Sequence, residues 1–313
     1  MCNENLIRTL HDHHHGWDNS LPPQTHVSPG QQIEFACKDS GNGHFNQHST
    51  AAQVLTMPFD RINPVTGPVY VEGAEPGDVL KITINSFRPS GFGWTANIPG
   101  FGLLADQFRE PALTTWTYDT GLQQAAAFGS WARIPLKPFA GTIGLAPAES
   151  GLHSVVPPRR VGGNLDIRDL SAGATLYLPV EVPGALLSVG DTHAAQGDGE
   201  VCGTAIETAM NAVITVDLIK DHPMAYPSFS TPGSVTSHID TRGYEVTTGV
   251  GPDLLQAARD AVSGTIDWLC RTRNMPPEQA YMLCSVCGDL RISEIVDRPN
   301  WVVSFYFPRM VLD

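Results

Sequence analysis

The chain predicts an α+β fold, β-rich, in which mostly antiparallel sheets pack as a sandwich or barrel-like core and a helical segment follows near the C-terminus. Three observations carry this reading. Apolar and polar residues alternate with period two in one segment after another, as half-buried strands do. The 30 Gly and 25 Pro among 313 residues exceed the usual share and imply many turns. Only one stretch, between Pro252 and Asn274, changes to a helical period. No Pro/Gly/Ser-rich linker divides the chain, so residues 1–313 read as one unit, or as two closely packed β subdomains, with the helical segment at about 252–285.

The elements follow in order. Residues 8–23 hold His11, His13, His14 and His15, but three successive side chains cannot all face one ion in a regular structure, so His13 and His14 read as a solvated edge. Pro22-Pro23 enforces an extended exit. Residues 32–37 alternate after the turn signal Ser28-Pro29-Gly30 and read as an antiparallel strand. Residues 39–60 read as a long loop. Glu72 and Glu75 precede a clean alternation at 79–87, another half-buried strand, and Glu75-Pro76-Gly77-Asp78 suits a solvated turn. Residues 89–120 mix Trp94 and Trp116 with glycines, a pattern of functional or interface loops. Strands are expected at 174–182, 212–220 and 301–307. Leu254, Leu255, Ala258, Ala261, Val262, Ile266 and Leu269 share one helical face, and Pro276-Pro277 opens a second short helix through Leu283.

Composition excludes several functions. A formal charge of −13, from 19 basic and 32 acidic residues, offers no electrostatic footprint for nucleic acid. Only 16% of residues are charged, which predicts surface hidden in subunit contacts and hence a homo-oligomer of two or more chains. Residues 1–6 lack a basic region before an apolar core, and no apolar run reaches membrane-spanning length. Cys2, Cys37, Cys202, Cys270, Cys284 and Cys287 form no disulfide framework. A cytoplasmic protein with reduced thiols and no membrane partner is therefore expected. A lone Cys284-x-x-Cys287 at a helix end reads as packed, inert thiols.

The chemistry concentrates in residues 190–207, where Asp191, His193, Asp198, Glu200 and Glu207 cluster in a chain otherwise sparing with charge. Residues 185–189 are apolar enough for a buried strand, so Asp191 and His193 project to one side. Gly197 and Gly199 bracket Asp198 as a tight turn would, and Asp198 and Glu200 again share a parity. Strand, hairpin-like turn and strand would then converge carboxylates and one imidazole at the bend. Such donors suit a divalent ion, zinc first because a histidine is present, with calcium, magnesium or manganese if oxygens dominate. The alternative is a solvated Gly-Asp-Gly turn beside a hydrogen-bonded core histidine. Upstream, Glu149 follows a small apolar run, and Asn164 and Asp166 share a parity after Gly162-Gly163, whose bare backbone could approach a ligand or form an Asx turn.

Residues 190–207 resemble the signature of the acetamidase/formamidase family. Trp17-Asp18-Asn19-Ser20-Leu21-Pro22-Pro23, residues 63–80 and Gly162-Gly163-Asn164-Leu165-Asp166 match the same family, in its order, from about residue 10 to the end. The resemblance implies a β-rich, oligomeric, metal-dependent hydrolase of short amides, acting on formamide, acetamide or a small lactam. It implies that Asp166 is a metal ligand, that Asn164 serves the ligand shell or substrate, and that His15 and the Trp17-Asp18-Asn19 stretch line the pocket, which makes Asn19 a substrate-binding candidate.

Amide hydrolysis at neutral pH needs a strong nucleophile, a polarised carbonyl and a proton for the leaving amine, and a metal-bound water meets the first two needs. The expected ligands are Asp166, Asp191, His193 and Asp198. Glu200 is the expected proton shuttle, with Glu149 and Glu207 as competitors. Cys202 offers a thiolate route, but the supporting lysine is missing, since Lys38, Lys81, Lys137 and Lys220 all lie outside the central stretch. No Gly-x-Ser-x-Gly elbow is present. A non-catalytic, metal-stabilised protein that binds a small polar ligand is the rival of another class.

Overall fold

The computed structural model describes residues 7–312. The N-terminal stretch read for a signal, and Cys2 with it, lie outside the described residues. Two six-stranded sheets face each other. In the first the order is Arg8–Leu10, Gln32–Cys37, Met210–Ile219, Val79–Pro89, Thr175–Pro179, Ser228–Ser230. In the second, Gly162–Asn164, Phe139–Gly144, Leu187–His193, Val65–Val71 and His13–His14 follow one another, with Thr25–Val27 joined to Val65–Val71. All pairings in the two sheets are antiparallel except those of Arg8–Leu10 and Thr25–Val27. Period-two alternation turns Phe35, Ile82, Ile84, Ile214 and Val216 toward Val69, Val71, Ile143, Leu187 and Val189, and these form one core. Burying each such side chain contributes about 1.5–3 kcal/mol.

A second core lies beside the first. The helix Leu254–Arg273 packs Ala258, Ala261, Val262, Ile266 and Leu269 against the three-stranded sheet of Tyr244–Gly251, Trp301–Pro308 and Asp289–Glu294. Asp253 caps the helix by accepting from the Gln256 amide, and Asn274 ends it in a left-handed conformation. The second helix, Pro277–Cys287, contributes Ala280 to Cys284 to the same core. Leu187 and Val189 belong to the first core and Ala194, Ala195, Val201, Cys202 and Ile206 to the second. The acid-rich stretch therefore crosses the seam between two packed units, where side chains from both can meet.

The α+β organisation is as the alternation implies, and no sheet of the described residues closes into a barrel. Four local expectations change. Residues 89–120 hold a hairpin of Phe92–Asn97 with Ala112–Thr117, because Trp94 and Trp116 are buried on its two faces, against Phe45 and Phe128. The second helix runs on to Cys287. Leu255 points outward at 62% exposure. The strand expected after the Gly-Asp-Gly turn does not form: turns run to isolated bridges of Glu207 with His193 and Trp94, and extended chain resumes at Met210. No helix among the described residues is long and apolar enough to cross a membrane.

Candidate active site

Three neighbouring strands of the second sheet build the floor of the site. Leu187–His193 pairs with Phe139–Gly144, which pairs with Gly162–Asn164. Gly141 lies between the Ala140–Thr192 and Thr142–Gly190 pairs, across from Asp191. Its carbonyl accepts from the amides of both Leu165 and Asp166, at 2.9 and 3.1 Å, which turns the chain so that Asp166 is aimed back at the sheet. A Cβ on Gly141 would press on Asp166 Oδ1 and come within 3.0 Å of His193 Cε1. Only glycine leaves that cradle open.

Four carboxyl groups and one imidazole meet there. His193 Nε2 lies 3.1 Å from Asp191 Oδ1 and 3.1 Å from Glu207 Oε2. Asp166, Asp191 and His193 place donor atoms within 4.8 Å of one another, and so do His193, Glu200 and Glu207. Asp166, Asp191 and Glu200 all hold left-handed backbones, at φ 49°, 51° and 42°. Such conformations are costly for residues with a Cβ and cluster where function holds them. Extended parity brings Asp191 beside His193, but the left-handed turn sends Glu200 inward and Asp198 outward.

The polar supports are equally specific. Asn63 Nδ2 donates to Asp191 Oδ2 and to Asn164 Oδ1, each at 3.2 Å. Thr142 Oγ1 donates to Asn164 Oδ1 at 2.7 Å. Glu207 accepts from Ser40 Oγ at 2.7 Å and from the Ala205 amide at 2.8 Å. Asp166 Oδ1 is buried and has no hydrogen-bond partner.

Electrostatics follow from this packing. Burial, and then the charge of Asp191, push the Asp166 carboxyl up to about 7. Burial raises Asp191 as well, and burial with Asp166 nearby raises Glu200 well above its ordinary value. Burial works in the same direction on Glu207, but His193, the Ala205 amide and Ser40 bring it below its ordinary value. Burial opposes the charged form of His193, yet Glu207 and Asp191 hold its pKa well above the ordinary one. One imidazolium cannot neutralise four buried carboxylates, and unpaired buried charge is expensive.

A cavity of about 60 Å³, measured as the space open to the centre of a water molecule, lies over this floor. Its acidic side includes Asp166, Asp191, Glu200 and Glu207, and Met57, Phe59, Ile62, Trp94, Ile98 and Phe101 make its apolar wall. It has room for a few waters or a small solute.

The structure brings together Asp166, Asp191, His193, Glu200, Glu207 and Asn164 from the expected set. Three others lie elsewhere. Asp198 pairs with Arg168 Nε at 3.3 Å and is 43% exposed, on an ion-pair group that Arg168 shares with Asp289. Glu149 is exposed at a surface turn. Asn19 clamps that turn by donating from Nδ2 to the carbonyls of Pro147, Ala148 and Glu149. Trp17 is buried against Gly144 and Gly163, and a Cβ on Gly162 would come within 2.5 Å of the Ile143 carbonyl, so the paired glycines serve strand packing. His15 borders an adjoining surface depression that shares Phe59, Ile62 and Val156 with the cavity. Trp116 is core, its indole donating to Thr95.

The cavity wall comes from residues 57–63 and 94–101 together with Val156, Gly203 and Thr204, and neither 15–23 nor 102–120 lines it. The Cys202 thiol is buried and pushed up to about 11 by that burial, and Cys284 and Cys287 are buried on the second helix. Ser40, Gly141, Thr142 and Gln196 carried no signal in spacing, and Asn63 stood only at the head of a resembling stretch.

Comparisons with known proteins place the chain in a family. The model of the acetamidase/formamidase family matches residues 3–155 and 148–313. A formamidase from Methylophilus methylotrophus is 28% identical over 96% of this chain and 89% of its own. A crystal structure of an acetamidase from Bacillus halodurans superposes with a TM-score of 0.68 at 31% identity, covering 96% of this chain and 97% of that one. A γ-lactamase from Delftia acidovorans shares the fold, with a TM-score of 0.89 at 24% identity over 98% of this chain and 94% of that one.

Proposed function

The chain belongs to the acetamidase/formamidase family, and from that premise we propose that it hydrolyses the C–N bond of short linear amides, of the formamide or acetamide type, to carboxylate and ammonia with the help of a divalent cation. The observation that carries this reading is the pair of donor groups sharing His193 beneath a small cavity. The residues fit a cation: Asp166 Oδ1 is buried without a partner, Gly141 leaves room beside it, and one imidazole accompanies several carboxylates. Asp166, Asp191 and His193 would hold it, with Glu207 in the place expected of Asp198. Zinc suits a site with a histidine, and calcium or manganese suits its oxygens. When bound, the ion supplies an acidified water and a Lewis acid for the carbonyl.

The side chains supply the rest. Glu200, raised well above its ordinary pKa by burial and then by Asp166, is placed to give a proton to the departing amine and to take one from water in its ionised form. Glu207 stays ionised, anchored by Ser40 and the Ala205 amide. Asn164, held by Asn63 and Thr142, presents its amide group at the cavity to orient the substrate. Trp94, Ile98 and Phe101 restrict water and substrate size. Outside the site, Val246 and Val250 lie on the face of their sheet away from the helix, 41% and 60% exposed, and support assembly into a homo-oligomer.

The test is turnover by the purified protein. Ammonia release from formamide, acetamide and propionamide that chelator abolishes and added metal restores is the expected result. Ring opening of a γ-lactam in place of linear turnover would move the reading to cyclic amides. Metal-dependent stabilisation without any turnover would leave a binding protein instead.

A further inference from the structure

We infer that Gln196 is a positioning residue that determines which ring nitrogen His193 turns to the carboxylates, an inference that rests on the cation-site reading above. Gln196 is buried, at 5% exposure, three residues beyond His193. Both ends of its amide are used. Nε2 donates to the Asp166 carbonyl at 2.8 Å, and Oε1 lies 2.9 Å from His193 Nδ1.

A backbone carbonyl only accepts, so the amino end of the amide must face Asp166 and the oxygen end must face His193. The reverse orientation would set two oxygens against each other. An amide oxygen also only accepts, so Nδ1 must carry a hydrogen. A neutral ring then presents its lone pair at Nε2, between Asp191 Oδ1 and Glu207 Oε2, each 3.1 Å away. A lone pair among carboxylate oxygens is stabilised by a cation. Without a cation the imidazolium donates from Nδ1 to Gln196 and from Nε2 to the carboxylates, so it is the Nε2 proton that a cation would displace, whereas a neutral Nε2–H ring would break the Gln196 contact. The role matches that of partners that orient metal-binding histidines through their second nitrogen.

The same amide ties two distant parts of the chain. Asp166 reaches the site from a left-handed backbone at φ 49°, and Gln196 braces its carbonyl while holding the ring of His193. Gln196 itself lines a different small cavity, with Lys137, Arg168 and His238. It is absent from the wall of the substrate cavity, so it acts through His193.

Two variants and one spectrum test this. Gln196→Met keeps the length but has no acceptor, whereas Gln196→Glu keeps an oxygen for Nδ1–H. Zn²⁺ affinity is measured by competition with a chromophoric chelator, and the His193 ring is observed by long-range ¹H–¹⁵N correlation in the zinc-loaded wild type. Expected are a protonated Nδ1, a loss of about 10–100-fold in Zn²⁺ affinity for Gln196→Met, and recovery of most of it in Gln196→Glu, whose second oxygen must keep a proton to donate to the Asp166 carbonyl, in variants that stay folded although the lost contacts lower the metal-free melting temperature. Zinc binding by Gln196→Met within about twofold of wild type, or an unprotonated Nδ1 in wild type, overturns the inference alone. A wild type that binds none of Zn²⁺, Mn²⁺ and Ca²⁺ overturns the cation site and this inference with it.

Discussion

Replacing Asp166 by Asn should make the metal-free protein more stable while weakening its hold on metal. The Asp166 carboxyl rises from an ordinary 3.8 to about 7 in the fold, and Oδ1 has no hydrogen bond to lose. The unfolded chain releases this proton near its ordinary value and the folded one near 7. Between those values the folded state binds more protons than the unfolded, so this carboxyl lowers stability as pH rises across the window. At about 1.4 kcal/mol per pH unit, the cost reaches about 4 kcal/mol above pH 7. Asparagine carries no such charge. Urea denaturation of both proteins with chelator present, from pH 5 to 8, should show a gain that grows with pH toward that figure. The same variant should lose Zn²⁺ affinity. A variant no more stable at pH 8 than wild type, or equally stabilised at pH 5 and 8, would refute the claim that this carboxylate is held against its own electrostatics.

Three further changes probe other parts of the site. Glu200→Gln should retain bound metal while turnover falls by about 10²–10⁴, measured by metal content and ammonia release. Unchanged turnover would remove Glu200 from proton transfer. Gly141→Ala should lose metal and activity together, because its Cβ presses on Asp166 and His193, with an overpacking cost of about 1–3 kcal/mol in thermal unfolding. Cys202→Ala should keep turnover within a few-fold, since the thiol, pushed up to about 11, supplies no thiolate near neutrality. Loss of turnover in a well-folded Cys202→Ala protein would restore the acyl-enzyme route.

Most strands and the long helix were legible because period and punctuation are local: Gln32–Cys37 and Met210–Ile219 alternate, and Leu254–Arg273 carries its cap and apolar stripe. Asp191 and His193 were legible for the same reason, being two residues apart on one strand. Where parity failed, backbone conformation was responsible. The left-handed turn at Glu200 separates it from Asp198, a feature no alternation pattern encodes. Glu149 and Asn19 look chemical in sequence but meet each other across a surface turn. Ser40, Thr142 and Gln196 are ordinary residues whose roles arise only when the seam between the two cores closes on them.

Diffraction at the zinc absorption edge, from crystals of zinc-loaded protein, addresses the central claim most directly. The account expects anomalous density about 2 Å from His193 Nε2, bounded by oxygens of Asp166, Asp191 and Glu207. Zinc bound only at other positions, with His193 left paired to Asp191 and Glu207 as a bare imidazolium, would contradict it.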